Sequence, residues 1–129
     1  MKYNNLLTLT NKGIFCPQGN FFIDPWKPVE KAIITHAQSA HARPGSKKYL
    51  ASNESKLLLK LRLGQDINVQ TAAYGEKVSF NGVSVSFHPA GHILGSAQIR
   101  VEYKGEVWVV SGDYKIEEDG TCENFEPIK

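Results

Sequence analysis

The sequence has no long hydrophobic run. A membrane-spanning helix needs about 20 consecutive apolar residues, whereas the apolar runs in this chain are only a few residues long. The first residues also lack the extended apolar segment and small-residue cleavage site of a secretory signal. We therefore expect a cytoplasmic protein with no part embedded in a membrane.

Cysteine is scarce, which excludes two kinds of site. Cys16 and Cys122 are the only cysteines, and they are far apart in the sequence. They form neither a disulfide framework nor a CxxC metal-binding pair. We expect two reduced thiols, of which at least one is buried.

The charge is also not of one sign. The chain has 15 basic and 13 acidic residues, for a formal net charge of +2. This balance gives no argument for nucleic-acid binding from total charge. With 129 residues, of which 41% are hydrophobic and 22% charged, the chain has the composition of an ordinary globular protein. We expect residues 1–129 to form a single domain.

Strand signals dominate the sequence. Several pairs of apolar segments flank short turns, which predicts β-hairpins, and one pair surrounds Asn81-Gly82, the preferred dipeptide of a type I′ turn. A short apolar run that needs cover on both faces predicts a buried strand. The predicted hairpins join residues 13–15 with 21–23, 78–80 with 83–87, and 98–103 with 106–110, and the buried strand covers residues 32–35.

One helix is predicted, between weaker strand signals at residues 48–51 and 67–70. Ser52 or Asn53 can cap its beginning, and Gly64 ends it. A stripe of leucines (Leu57, Leu58, Leu61 and Leu63) lies between these limits. The pattern as a whole predicts an α+β fold, with a β-rich mixed sheet or sandwich and one main helix on one face.

Three loops at predicted strand ends carry side chains that could bind a metal. His36 and His41 follow the first buried strand, His92 lies between two glycines, and Asp113 follows an apolar strand. Neutral imidazole binds zinc, copper, iron or nickel, and a carboxylate beside an apolar strand needs a partner or a metal. We interpret His88 as a hydrogen-bonding residue at a strand end.

From these residues alone, two interpretations remain open. Single histidines and aspartates in loops are more often surface or hydrogen-bonding groups than ligands. However, all four histidines of the chain lie in two of the three loops, a grouping that favours a shared metal site.

Four segments resemble those of a known fold. The segment THAQSAHARPG at residues 35–45 is similar to the H-x-H-x-D-H signature of the metallo-β-lactamase fold, and PAGHILGS at 89–96 and SGDY at 111–114 resemble the next two motifs in order. The combination is typical of the branch of β-CASP nucleases and messenger-RNA 3′-end processing factors. The opening segment GIFCPQGNFFIDPW at 13–26 is similar to the ligase-associated DNA exonucleases.

The resemblance implies an αββα sandwich with two metal ions, usually zinc, at the strand ends. Matched by motif, His36 and His92 correspond to ligands of the first ion, His41 to a ligand of the second, and Asp113 to the bridging carboxylate. In an intact member the metals activate a water and stabilise the charge that develops on the phosphodiester. The expected fold is the N-terminal half of such a sandwich, since the family continues past the Asp113 motif.

The chain departs from the signature at two positions. Gln38 stands where the family has its second histidine, and Ala40 where it has an aspartate that also holds the nucleophilic water. Catalytic zinc normally has three protein ligands and a water, so one weak zinc site is conceivable and a working pair is not. The resemblance thus indicates a metal-dependent nucleic-acid phosphodiesterase. For this chain we expect little or no activity, and we assign no catalytic residue.

The alternative is a non-catalytic module that keeps the fold for binding or assembly. Arg43, Lys47 and Lys48 could then contact phosphates of a nucleic acid, although a solvated basic loop accounts for them better. The expected half-sandwich would leave a sheet face uncovered, which predicts a homo-oligomer. The metal content distinguishes the two interpretations.

Overall fold

A computed structural model describes residues 6–35, 42–89 and 97–111. Within these residues the chain forms two β-sheets that face each other and one α-helix on the outer side of the larger sheet. The strands are β1 (Thr8–Thr10), β2 (Gly13–Cys16), β3 (Phe21–Ile23), β4 (Lys31–Ile33), β5 (Lys48–Ser52), β6 (Val69–Ala72), β7 (Val78–Phe80), β8 (Val83–Pro89), β9 (Ala97–Tyr103) and β10 (Glu106–Ser111).

The first sheet has six strands in sequential order, from β1 to β6. Strands β1, β2 and β3 pair antiparallel, and β3 to β6 pair parallel. Because β3, β4 and β5 run in the same direction, the chain leaves all three at the same end of the sheet. This is the arrangement in which polar loops can converge.

The second sheet is antiparallel, in the order β10-β9-β8-β7, and its hairpins follow the predicted turn chemistry. Asn81 and Gly82 have φ of 53° and 87°, and Lys104 and Gly105 have φ of 49° and 87°. Two successive residues with positive φ define the type I′ turn, which matches the twist of the flanking strands. All three predicted hairpins are confirmed.

The main core lies between the two sheets. Alternate residues of β8 and β9 point inward, and Val85, Phe87, Ile99 and Val101 are completely buried. Facing them, Phe21 and Ile23 of β3 are also fully buried. Each such side chain contributes about 1.5–3 kcal/mol to folding through its removal from water, so this interface is what holds the sheets together.

The helix differs from the sequence prediction. It consists of a 3₁₀ turn (Asn53–Ser55) followed by α1 (Lys56–Leu63), and no side chain caps either segment. Ser52, one of the two predicted capping residues, does occupy the N-cap position of the 3₁₀ turn, but its Oγ lies 3.3 Å from Ser55 Oγ and makes no capping hydrogen bond. Gly64 ends α1 with φ of 116°, as predicted.

The leucine stripe is also not the buried face of α1. Leu59, which lies outside the predicted stripe, is fully buried against the first sheet, while Leu57 and Leu61 are 67% and 66% exposed. In an eight-residue helix so rich in leucine, the sequence cannot indicate which leucines face the sheet. The position of α1 on the sheet decides it.

Smaller differences concern strand limits. The strand predicted at residues 32–35 ends at Ile33, and the strand predicted at 67–70 forms at Val69–Ala72. Strand β1 was not predicted, because this edge strand has two threonines and an exposed leucine and no buried alternation. The α+β class is confirmed, with a sandwich of one mixed and one antiparallel sheet and one main helix on one face.

The described residues include one of the two cysteines and the one α-helix. Cys16 is a free and fully buried thiol, and burial raises its pKa, whereas Cys122 lies outside the described residues. No helix in the described part of the chain is long and apolar enough to cross a membrane.

Candidate functional site

The three motif-bearing loops leave the sandwich at one place. The Ala97 backbone N–H, at the start of β9, donates a 2.9 Å hydrogen bond to the Thr35 carbonyl, which follows β4. In the second sheet, Ala97 is also opposite Pro89, the last residue of β8, and its neighbour Gln98 is opposite Ser111, the end of β10. The loops that begin after Thr35, Pro89 and Ser111 therefore share one end of the sandwich.

Thr35 is the junction of this region, and Asp24 holds it. Asp24 follows β3, and its carboxylate accepts a 2.8 Å hydrogen bond from the Thr35 N–H and a 2.6 Å hydrogen bond from the Thr35 hydroxyl. Thr35 is completely buried, so both donors would be costly without an acceptor. The Asp24 carboxylate thus fixes the backbone immediately before His36.

The predicted metal ligands lie outside the described residues. His36, His41, His92 and Asp113 fall in residues 36–41, 90–96 and 112–129, so their convergence stays a prediction. No group of three or more histidine, cysteine, aspartate or glutamate side chains that could hold a metal occurs within residues 6–35, 42–89 and 97–111. A metal bound at the shared end of β4, β8 and β10 would have to be held by side chains of those three segments.

Asp24 and Thr35 are residues that the sequence analysis missed. Thr35 was predicted only as the end of the strand at residues 32–35. The available signal was an aspartate directly after an apolar strand, as at Asp113. The second strand end that it contacts is 11 residues away in the sequence, and only the parallel pairing of β3 with β4 brings the two together.

Two of the three predicted basic residues lie away from the motif loops. Arg43, Lys47 and Lys48 are exposed. Lys48 begins β5 opposite Lys31, at the start of β4. Lys31 is four residues before Thr35, which corresponds to about 13 Å along an extended chain. Lys47 and Lys48 are therefore at the far end of the sheet from the motif loops. Their contact with nucleic acid stays a prediction.

His88 has a hydrogen-bonding role, as interpreted from the sequence. Its Nε2 lies 2.9 Å from Ser86 Oγ on the outer face of β8. Partial burial, and next the positive charge of Arg100, lower the pKa of His88 below its ordinary value. The folded protein thus favours the neutral imidazole.

This pKa shift predicts a small dependence of stability on pH. A histidine in the unfolded chain titrates at about pH 6.5. Between that pH and the lower pKa of the folded state, the unfolded state binds more protons than the folded state. The free energy of unfolding therefore decreases as the pH is lowered through this window. We expect His88→Gln, which keeps a hydrogen-bonding group beside Ser86, to lose less stability than wild type between pH 7.5 and 5.5. Urea unfolding at the two pH values measures this, and an equal loss in both proteins would contradict it.

The chain matches known proteins by sequence over short parts of their length. It is 29% identical over 114 residues to a probable DNA ligase of Opitutus terrae, a match that covers 86% of this chain and 11% of that protein. It is 35% identical over 51 residues to cleavage and polyadenylation specificity factor subunit 3 of Dictyostelium discoideum, which covers 40% of this chain and 7% of that protein. No family model matches.

Solved structures match the fold over most of the chain. A metallo-β-lactamase of Cronobacter sakazakii with a HARLDQ motif superposes with a TM-score of 0.56 at 14% identity, covering 81% of this chain and 58% of that one. MEM-A1, a subclass B3 metallo-β-lactamase from a soil metagenome, gives a TM-score of 0.54 at 15% identity, covering 81% and 56%. The chain thus spans somewhat over half the length of these structures. Its two facing sheets with a helix on one outer side have the metallo-β-lactamase fold.

Proposed function

We propose that this chain is a nucleic-acid-binding protein derived from metal-dependent phosphodiesterases of the metallo-β-lactamase fold, with its metal site reduced to at most one ion. The observation that carries the proposal is the junction of Thr35 with Ala97, beside Ser111. It places the starts of all three motif loops together. The two curated relatives, a probable DNA ligase and a cleavage and polyadenylation factor subunit, favour nucleic acid as the substrate class.

Three side chains would hold the metal. His36, His92 and Asp113 supply two imidazoles and one carboxylate, the donor number of a catalytic zinc site with an open position. His41 would be left without enough partners to hold a second ion, because Ala40 has no donor and Gln38 offers a weak one. Bound zinc would supply a polarised water and a positive charge beside a phosphate.

The rest of the chain positions these loops. The carboxylate of Asp24 fixes Thr35 and so sets the direction in which the chain enters residues 36–41. The hydrogen bond from Ala97 ties the end of residues 90–96 to the same point. Both contacts join elements of different sheets or strands, and they make the entrance to the loops rigid before any metal binds.

The proposal predicts the metal content of the purified chain. We expect at most one zinc per chain and no cleavage of single-stranded or double-stranded oligonucleotides. Elemental analysis after dialysis against zinc, together with a gel assay of labelled DNA and RNA, checks both. The matched control is His36→Ala, which should lose whatever zinc is bound. Two zinc ions per chain with metal-dependent cleavage would contradict the proposal.

A non-catalytic module without metal is the second candidate, and Gln38 and Ala40 are the observation that favours it. Zinc-free protein that still binds an oligonucleotide would select this candidate.

Self-association through an uncovered sheet face also stays a proposal. On the described outer face of the second sheet, Gln98, Arg100 and Glu102 are partly exposed while Ser86 and Val109 are buried, so a partner there would have to meet polar groups.

A further inference from the structure

Trp26 presents an indole to solvent beside the junction of the motif loops. It follows β3 by three residues, and 44% of it is exposed. Tryptophan is enriched at interfaces, because its ring is apolar at one end and can form a hydrogen bond at the other.

The ring is held in place. The Trp26 Nε1–H donates a 2.9 Å hydrogen bond to the Asn11 carbonyl, and the Trp26 backbone N–H donates one of the same length to the Lys12 carbonyl. Gly13 packs so closely on this segment that a Cβ there would lie 2.9 Å from the Pro25 Cα. Since the polar edge of the indole is already bonded, its exposed part offers only π surface.

Two lysines adjoin Trp26 along the backbone. Lys12, at the tip of the β1–β2 hairpin, and Lys27, the next residue after Trp26, are both exposed. Asp24 is the nearest acid in the sequence, and its carboxylate is directed to Thr35. An aromatic face beside cations is the combination that binds single-stranded nucleic acids, through base stacking and phosphate contacts.

The ring is also close to the motif loops. Asp24 is two residues from Trp26, and it is hydrogen-bonded to Thr35, the residue before His36. Two residues span at most about 7 Å, and consecutive Cα atoms are about 3.8 Å apart. Trp26 is therefore at the same end of the first sheet as Thr35.

We infer that Trp26 and Lys12 form a stacking platform for single-stranded nucleic acid, in which a base stacks on the exposed indole and Lys12 contacts the adjacent phosphate. The inference rests on the proposed function and specifies its substrate as a single strand. A protein partner could also contact an exposed tryptophan. However, the bonded polar edge and the two flanking lysines favour a base and its phosphates.

The test measures binding of a labelled short oligothymidylate by fluorescence anisotropy in EDTA, so that no metal or cleavage is involved. Trp26→Leu should weaken binding about tenfold, the effect of losing one stacked base, whereas Trp26→Phe should stay within about threefold. Lys12→Ala should weaken binding and lower the salt dependence by about one phosphate contact. The controls are Trp108→Phe and Lys104→Ala, since Lys104 is in a turn at the far end of the second sheet.

A second measurement does not depend on the stability of the Trp26 variants. In the Trp108→Phe protein, Trp26 is the only tryptophan, and saturating oligothymidylate should quench its emission. Unchanged affinity in Trp26→Leu, absence of quenching, or absence of any oligothymidylate binding would overturn the platform. The proposed function is decided separately: two zinc ions per chain with metal-dependent cleavage would contradict it whatever Trp26→Leu does to binding, and unchanged affinity in Trp26→Leu would contradict the platform alone.

Discussion

Replacing Gln38 with histidine and Ala40 with aspartate is expected to raise the zinc content from at most one ion to two per chain. The double substitution restores the pattern H-x-H-x-D-H at residues 36–41. It gives the first ion a third imidazole and the second ion a carboxylate in addition to His41 and Asp113. Because structural and catalytic zinc sites need three or four protein donors, this change takes the second site from too few ligands to enough.

The control for this substitution uses the same two residue types one position earlier. Ala37→His with Ser39→Asp adds an imidazole and a carboxylate to the same loop without restoring the signature, and we expect it to leave the zinc content unchanged. Elemental analysis gives the stoichiometry, and calorimetric titration gives the affinity of each site. Equal zinc uptake by the two double variants would mean that the loop does not hold the metals as the resemblance implies.

The local part of the fold could be predicted from the sequence, because its causes are local. Asn81 and Gly82 both adopt positive φ, and a dipeptide with this preference determines its hairpin without help from the rest of the chain. The helix was harder to predict. Which of the five leucines of α1 is buried depends on how the helix lies on the first sheet, and only Leu59 is fully buried there.

The candidate site, like the fold, could be predicted from the sequence only in its local parts. The loops with His36, His92 and Asp113 could be found in the sequence, because each is a short motif after an apolar strand. The contacts that hold the loops could not. Thr35 meets Asp24 through the parallel pairing of β3 with β4, and it meets Ala97 across the two sheets. Such pairings are set by the whole fold, and no short segment of sequence contains them.

Asp24→Ala is expected to destabilise the protein by about 2–4 kcal/mol. The substitution leaves the N–H and the hydroxyl of the fully buried Thr35 without their acceptor, and each buried unsatisfied donor costs about 1–3 kcal/mol. Asp24 also has a φ of 46°, a conformation that aspartate and asparagine adopt more readily than alanine, which adds to the loss.

Two matched variants separate these causes. Asp24→Asn keeps the backbone preference and one carbonyl acceptor, and Thr35→Val removes only the hydroxyl, so each should lose less stability than Asp24→Ala. Urea unfolding gives the three free energies, and zinc titration of the folded variants should show weaker binding in Asp24→Ala, since the chain enters residues 36–41 from Thr35. If Asp24→Ala unfolds at the same urea concentration as wild type, the carboxylate does not hold this junction. If it is destabilised while its zinc affinity is unchanged, Asp24 stabilises the sandwich without positioning the loop that contains His36.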